Sequence, residues 1–294
     1  MQVYYSDRFL KHSLGRGHPE CPERLRVIRA GLEGKKNCKI LEPKPIDKEE
    51  LELVHGRDYL QELVSLSAAK ATFPDNIFSE HTFDISALAA SAARDAAMNC
   101  ENDVAFALVR PPGHHAGKGF FGGFCYINNI AFATRSLQKK KKARGMIIDI
   151  DYHHGNGTQN IFRNDDSVFY LSLHADPKTE YPGTGFESEN NKHITNVPLP
   201  PDTTDGDYIG IFGKALDKSV KSFEPEFIAV SAGFDTYYMD PIAGLGIRDI
   251  GTYGKIGEKI ASLKLPTFVV LEGGYYLPKL DEISNSFFSS FQKI

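Results

Sequence analysis

Five short runs in this chain are apolar almost throughout: residues 104–109, 146–150, 168–173, 227–230 and 267–271. A strand with one wet face alternates apolar and polar residues. A run without alternation is covered on both faces, as in a parallel sheet packed between helices. Residues 85–98 are Ala-rich, 128–138 read as a helix, and 208–222 carry apolar residues near helical spacing. Strand–helix alternation predicts an α/β fold with a largely parallel sheet and right-handed crossovers. Without an internal repeat or a low-complexity linker, residues 1–294 read as one domain.

Composition closes off other classes. Apolar residues at 41% and charged residues at 24% exclude a disordered chain. With 34 basic against 38 acidic side chains the net charge is −4, so direct binding to nucleic acid is not expected. Lys139 to Lys142 and Arg144 read as the solvated C-terminal end of the preceding helix. No apolar run reaches ~18 residues, so no membrane span is expected. The opening MQVYYSDRFL lacks the basic-then-apolar order of a signal peptide. Cys21, Cys38, Cys100 and Cys125 are far apart, with no C-x-x-C pair, which points to a reducing, cytoplasmic setting.

Chemistry sits where the apolar runs end. Arg110-Pro-Pro-Gly-His114-His115 follows the first, Asp151-Tyr-His153-His154-Gly-Asn156 the second, and His174 the third. Asp235 follows the fourth, and Glu272-Gly-Gly-Tyr275 the fifth. Parallel sheets bind ligands outside the carboxyl ends of their strands. Asp149, Asp151 and His153 alternate at period two, so an extended segment puts them on one face. With Asp235, Asp151 and His153 make a three-ligand metal site with open positions; the alternative is a set of hydrogen-bonded strand ends. The His114–His115 pair suits acid–base chemistry, metal binding or a polar loop. Tyr275 is either aimed into the crevice by its two glycines or simply packed. His174 reads as a supporting or strand-terminal residue rather than a ligand.

The ordered segments HPECPERL (18–25), RPPGHHA (110–116), GFCYINN (123–129), DIDYHHGNGTQ (149–159), SLH (172–174), YPGTG (181–185), SAGFD (231–235) and LEGGY (271–275) resemble the histone deacetylase family. That family includes bacterial and archaeal deacetylases and acetylpolyamine amidohydrolases, and Asn156 is similar to the class II pattern. The resemblance implies an arginase-like three-layer fold, with a central, mostly parallel sheet of about eight strands flanked by helices. It implies a metal-dependent amidohydrolase with Zn2+ (or Fe2+) on Asp151, His153 and Asp235. His114 and His115 would be the tandem histidines, backed by Asp149 and Asn156, and Tyr275 the oxyanion donor. A structural K+ would sit on Asp149, Asp151, His153, Ser172 and Leu173, and a weaker second site on Phe162, Asp165 and Val168. Gly123, Phe124 and Tyr181 would line the acyl channel, with Asp75 and Ile242 at its rim. The implied reaction is attack of metal-activated water on an acetamide, with His115 as base and a protonated histidine as acid.

The expected substrate is an acyl-lysine protein or peptide; the alternative is an acetylpolyamine or another small amide. Arginase-like ureohydrolases need further carboxylates for a second metal, and this chain has Gly233 where they would place one. A non-catalytic acyl-lysine binder is the remaining reading, and it would show a damaged site.

Overall fold

The apolar runs form the middle of one sheet because both of their faces are covered. The computed structural model describes residues 1–294 apart from 34, 36, 102 and 292–294, so the last three residues of the expected domain lie outside the described residues. Among the described residues eight strands are present: β1 (Gln2–Tyr4), β2 (Lys39–Leu41), β3 (Ala105–Ala107), β4 (Gly145–Asp149), β5 (Val168–Ala175), β6 (Ile194–Leu199), β7 (Phe227–Ala232) and β8 (Thr267–Leu271). Their order is β2-β1-β3-β8-β7-β4-β5-β6, and every described pairing is parallel. Each residue of β3, β4, β5, β7 and β8 is buried, which is why none of them alternates. The edges differ. β2 is partly exposed, and β6 carries Pro198, which an edge strand tolerates.

Among the described residues eight α-helices flank the sheet: α1 (Pro22–Leu32), α2 (Arg57–Ala69), α3 (Thr82–Met98), α4 (Asn129–Lys141), α5 (Asn156–Phe162), α6 (Asp205–Phe223), α7 (Gly251–Ala261) and α8 (Leu277–Ser290). They pack in two groups, α2 to α5 in one and α1 with α6, α7 and α8 in the other. α3 is buried nearly all round. Its alanines at 89, 90, 92, 93, 96 and 97 let it lie close against α4 and against β1, β3 and β8. Asn128 caps α4 by accepting the Ala131 N–H at 3.0 Å, and Lys139, Lys140 and Lys141 occupy its last turn, complementing the helix dipole. Among the described residues no helix is long and apolar enough to cross a membrane. All four cysteines are free thiols.

Because the strands are parallel, their carboxyl ends open at one edge of the sheet. β3, β8, β7 and β4 are consecutive neighbours in its centre. Their following loops carry His114 and His115, Tyr275, Asp235, and Asp151 with His153.

Candidate active site

Asp151 and Asp235 are fully buried, and His153 lies between them. The His153 Nδ1 is 3.5 Å from Asp151 Oδ1 and 3.4 Å from Asp235 Oδ2. Ligand atoms of all three residues lie within 4.8 Å of one another. Backbone amides hold the carboxylates in place: Gly273 N–H donates to Asp151 Oδ2 at 2.8 Å and Tyr152 N–H to Asp235 Oδ1 at 2.9 Å. Among the described residues Asp235 Oδ2 has no hydrogen-bond partner. A buried, donorless carboxylate oxygen beside a second carboxylate is costly unless a cation completes it. His153 reports the same field. Burial pushes its pKa down, but the two aspartates outweigh burial and draw it up to about 10. Two carboxylates and one imidazole with room left over fit a divalent ion with open positions.

Gly233 stands where the ureohydrolase pattern would place a further carboxylate, and the space there is taken. A Cβ at that position would fall 2.2 Å from Asp151 Oδ2 and 2.5 Å from its Cα, so no carboxylate side chain fits. Among the described residues one further group, His114, Cys125 and Glu272, brings ligand atoms together, but both Glu272 oxygens are already engaged. Glu272 Oε2 accepts the N–H groups of Gly113 and His114, and its Oε1 accepts the Ser231 hydroxyl. Burial pushes the Cys125 thiol well up, away from the thiolate a metal needs.

The tandem histidines stand beside this centre with different partners. His114 Nδ1 donates to Asp149 Oδ2 at 3.2 Å, and His115 Nδ1 donates to Asn156 Oδ1 at 2.8 Å. Burial lowers both; Asp151 and Asp149 lift His114 to about 10, whereas His115, backed by a neutral amide, stays well below its ordinary value. Tyr275 closes the opposite side. Its N–H donates to Asp240 Oδ2 at 2.7 Å, the Arg24 guanidinium lies over its ring at 4.7 Å, and its hydroxyl meets no partner among the described residues.

These groups line a cavity of about 240 Å³ with Asp75, Gly123, Phe124, Tyr181 and Ile242. Tyr181 stands edge-on to His115 at 5.0 Å. Phe124 holds a φ of +67°, a strained position that turns its ring toward Tyr275, 6.3 Å away. Asp75 is exposed on a turn anchored by Asn76 Nδ2, which donates to Cys125 O at 3.1 Å. Every residue expected at the metal, the acid–base pair, the oxyanion position and the channel therefore borders one cavity or, as Asp149, Asn156 and Asp235 do, supports its lining. Ser172 and Leu173 lie behind it on β5, with Ser172 in register with Asp149. His174 is a brace: its Nε2 donates to Gly185 O at 2.9 Å and its Nδ1 accepts from Ser172. At the weaker potassium position Arg135 ion-pairs with Asp165 and lies over the Phe162 ring.

Several supporting residues carried no role in the sequence reading. Glu272 fixes the backbone of the histidine pair, Asp240 that of Tyr275, and the Tyr170 hydroxyl donates to Asp149 Oδ2 at 2.9 Å. Arg24 donates to the carbonyls of Gly274 and Glu272 at 2.6 and 2.5 Å. Beneath it, fully buried Glu20 takes both prongs of Arg110 (2.5 and 2.7 Å) and Arg24 Nη1 at 3.2 Å. Burial pushes Glu20 up, but Arg110 and Arg24 outweigh it and hold its pKa at about 2.

A carboxylate with a depressed folded pKa adds stability above its unfolded value of ~4.3, and that stability drains away as pH falls toward the folded value. Glu20→Gln leaves two buried guanidiniums without their anion and should cost about 3–5 kcal/mol in urea unfolding at pH 7. The deficit relative to the parent should shrink as pH drops below ~4. A loss under about 1 kcal/mol would mean the network is dispensable.

The histone deacetylase domain model matches residues 18–291. A protein named probable deacetylase from Archaeoglobus fulgidus is 36% identical over 292 residues, covering 93% of this chain and 80% of its own. The solved HDA15 HD domain superposes with a TM-score of 0.93 at 32% identity, covering 100% of this chain and 91% of that one. The acetylpolyamine aminohydrolase of Burkholderia pseudomallei gives 0.90 at 29% identity, covering 99% and 98%.

Proposed function

The chain belongs to the histone deacetylase family and is a deacetylase, and from that premise we propose that it removes acetyl or other short acyl groups from lysine side chains of proteins or peptides. The observation that carries this is the convergence of Asp151, His153 and Asp235 with His114, His115 and Tyr275 on one narrow cavity. A Zn2+ or Fe2+ held by the three ligands would supply Lewis acidity and a more acidic bound water. His115, neutral and hydrogen-bonded through Nδ1, presents Nε2 as the base. His114, paired with the Asp149 carboxylate, supplies positive charge beside the reacting carbonyl. Tyr275 directs its free hydroxyl at the developing oxyanion. Phe124 and Tyr181 grip the aliphatic stem of the acyl-lysine, and Asp75 accepts from the substrate backbone at the rim. Asp149, Asp151, His153, Ser172 and Leu173 would hold K+ behind the metal, a reading supported by the Asp149–Ser172 register.

The likeness to an acetylpolyamine aminohydrolase favours a second reading, a small acetylated amine. A polyamine brings further positive charges to the mouth. There the cavity offers one exposed carboxylate, Asp75, beside exposed Tyr181 and Ile242. That balance supports a peptide.

The test is acetate release from an acetyl-lysine peptide and from acetylputrescine, with and without chelator. The peptide should be favoured by about tenfold or more in kcat/KM, and chelation should abolish turnover until Zn2+ or Fe2+ is restored. Preference for acetylputrescine would install the second reading. Full activity in chelator would remove the metal from the mechanism.

A further inference from the structure

One buried group stands outside the chemistry described so far. Tyr170 lies on β5 in register with Ile147 of β4, two residues before the Asp149–Ser172 pair. A tyrosine side chain spans the ~6.6 Å that two strand residues advance. Its hydroxyl therefore reaches the level of the Asp149 carboxylate, and it donates to Oδ2 at 2.9 Å, the same oxygen that takes His114 Nδ1 at 3.2 Å. The other oxygen, Oδ1, accepts the Asp151 N–H at 3.2 Å. The junction is sealed by the backbone of Gly155. A Cβ there would lie 2.3 Å from Asp149 Oδ2, 2.5 Å from the Tyr170 hydroxyl and 3.1 Å from His114 Nδ1. Three polar atoms thus meet in a space that admits no side chain at 155. Among the described residues His115 has no such third member; its partner is the Asn156 amide.

We infer that Tyr170 is a positioning residue for catalysis, the outer member of a His114–Asp149–Tyr170 relay that fixes the carboxylate and, through it, the plane of the His114 ring. Two donors on one carboxylate oxygen and a backbone amide on the other leave Asp149 no free rotation. With one donor removed, the carboxylate can swing and take the imidazole with it. A misplacement of about 1 Å at such a ring can cost about 10²-fold in turnover. This inference rests on the reading of His114 as a working member of the histidine pair.

Tyr170→Phe keeps the ring and deletes only the hydroxyl. Its kcat on the acetyl-lysine peptide should fall about tenfold, with KM and bound metal unchanged. The second measurement does not need turnover. In histidine-labelled protein, the Nδ1 proton of His114 should move downfield in the NMR spectrum, because an oxygen that loses one donor accepts more strongly from the other. A kcat within about twofold of the parent overturns the inference. So does a fall in kcat accompanied by loss of metal or of thermal stability with the His114 resonance unmoved, which marks a packing role. If the parent hydrolyses no acylated amine, the deacetylase reading fails instead, and the resonance shift alone decides whether the relay exists.

Discussion

Tyr275→Phe should lower kcat on an acetyl-lysine peptide by about a hundred- to a thousandfold, the range for losing one preorganised oxyanion donor. The substitution is clean because nothing else about Tyr275 depends on its hydroxyl. The ring is held from one side by the Arg24 guanidinium, 4.7 Å away, which serves phenylalanine as well. The backbone is held by the Asp240 carboxylate through the residue 275 N–H. Since the hydroxyl has no partner among the described residues, its removal leaves no orphaned group behind. Metal content and melting temperature should therefore match the parent, and KM should move little. A variant whose kcat stays within about threefold would end the oxyanion role. A large loss of bound metal would show that the phenol serves the metal site instead.

The centre of the site is legible in the sequence for a physical reason. Acidic and imidazole side chains at the end of a wholly buried strand have few reasons to be there; Asp149 ends β4, whereas Asp151 and His153 follow it in a bend rather than on the extended face that their period-two spacing suggests. Gly233 is legible too, and the 2.2 Å approach to Asp151 supplies its cause. The central strands are readable from continuous apolarity, whereas β1, β2 and β6 are not. An edge strand needs no second apolar face, and three-residue runs such as Lys39–Leu41 carry no periodicity. The supporting residues are hidden differently. Glu20 meets Arg110 across 90 residues of chain, and Glu272 and Asp240 act on backbone amides, which have no sequence signature. Tyr170 did leave a trace: with Ser172 and His174 it makes a polar stripe at period two along an otherwise apolar strand.

Asp235→Asn should empty the metal site while leaving the fold intact, and activity should fall by more than the ~10²–10³-fold of a single oxyanion donor. The amide oxygen can still accept the Tyr152 N–H that Asp235 Oδ1 accepts at 2.9 Å, so the strand end keeps its anchor. What disappears is the negative charge at the other oxygen, the one without a donor. In the metal-free protein that charge repels Asp151 but attracts the His153 imidazole 3.4 Å away, so the two effects oppose each other. The metal-free variant should thus melt close to the metal-free parent. Adding Zn2+ separates the two: binding to the native state alone raises the parent's melting temperature by mass action, while the variant stays put. This divergence separates a ligand from a merely structural aspartate, whose loss would destabilise both forms alike. A variant that still gains stability from Zn2+ as the parent does would take residue 235 out of the ligand set.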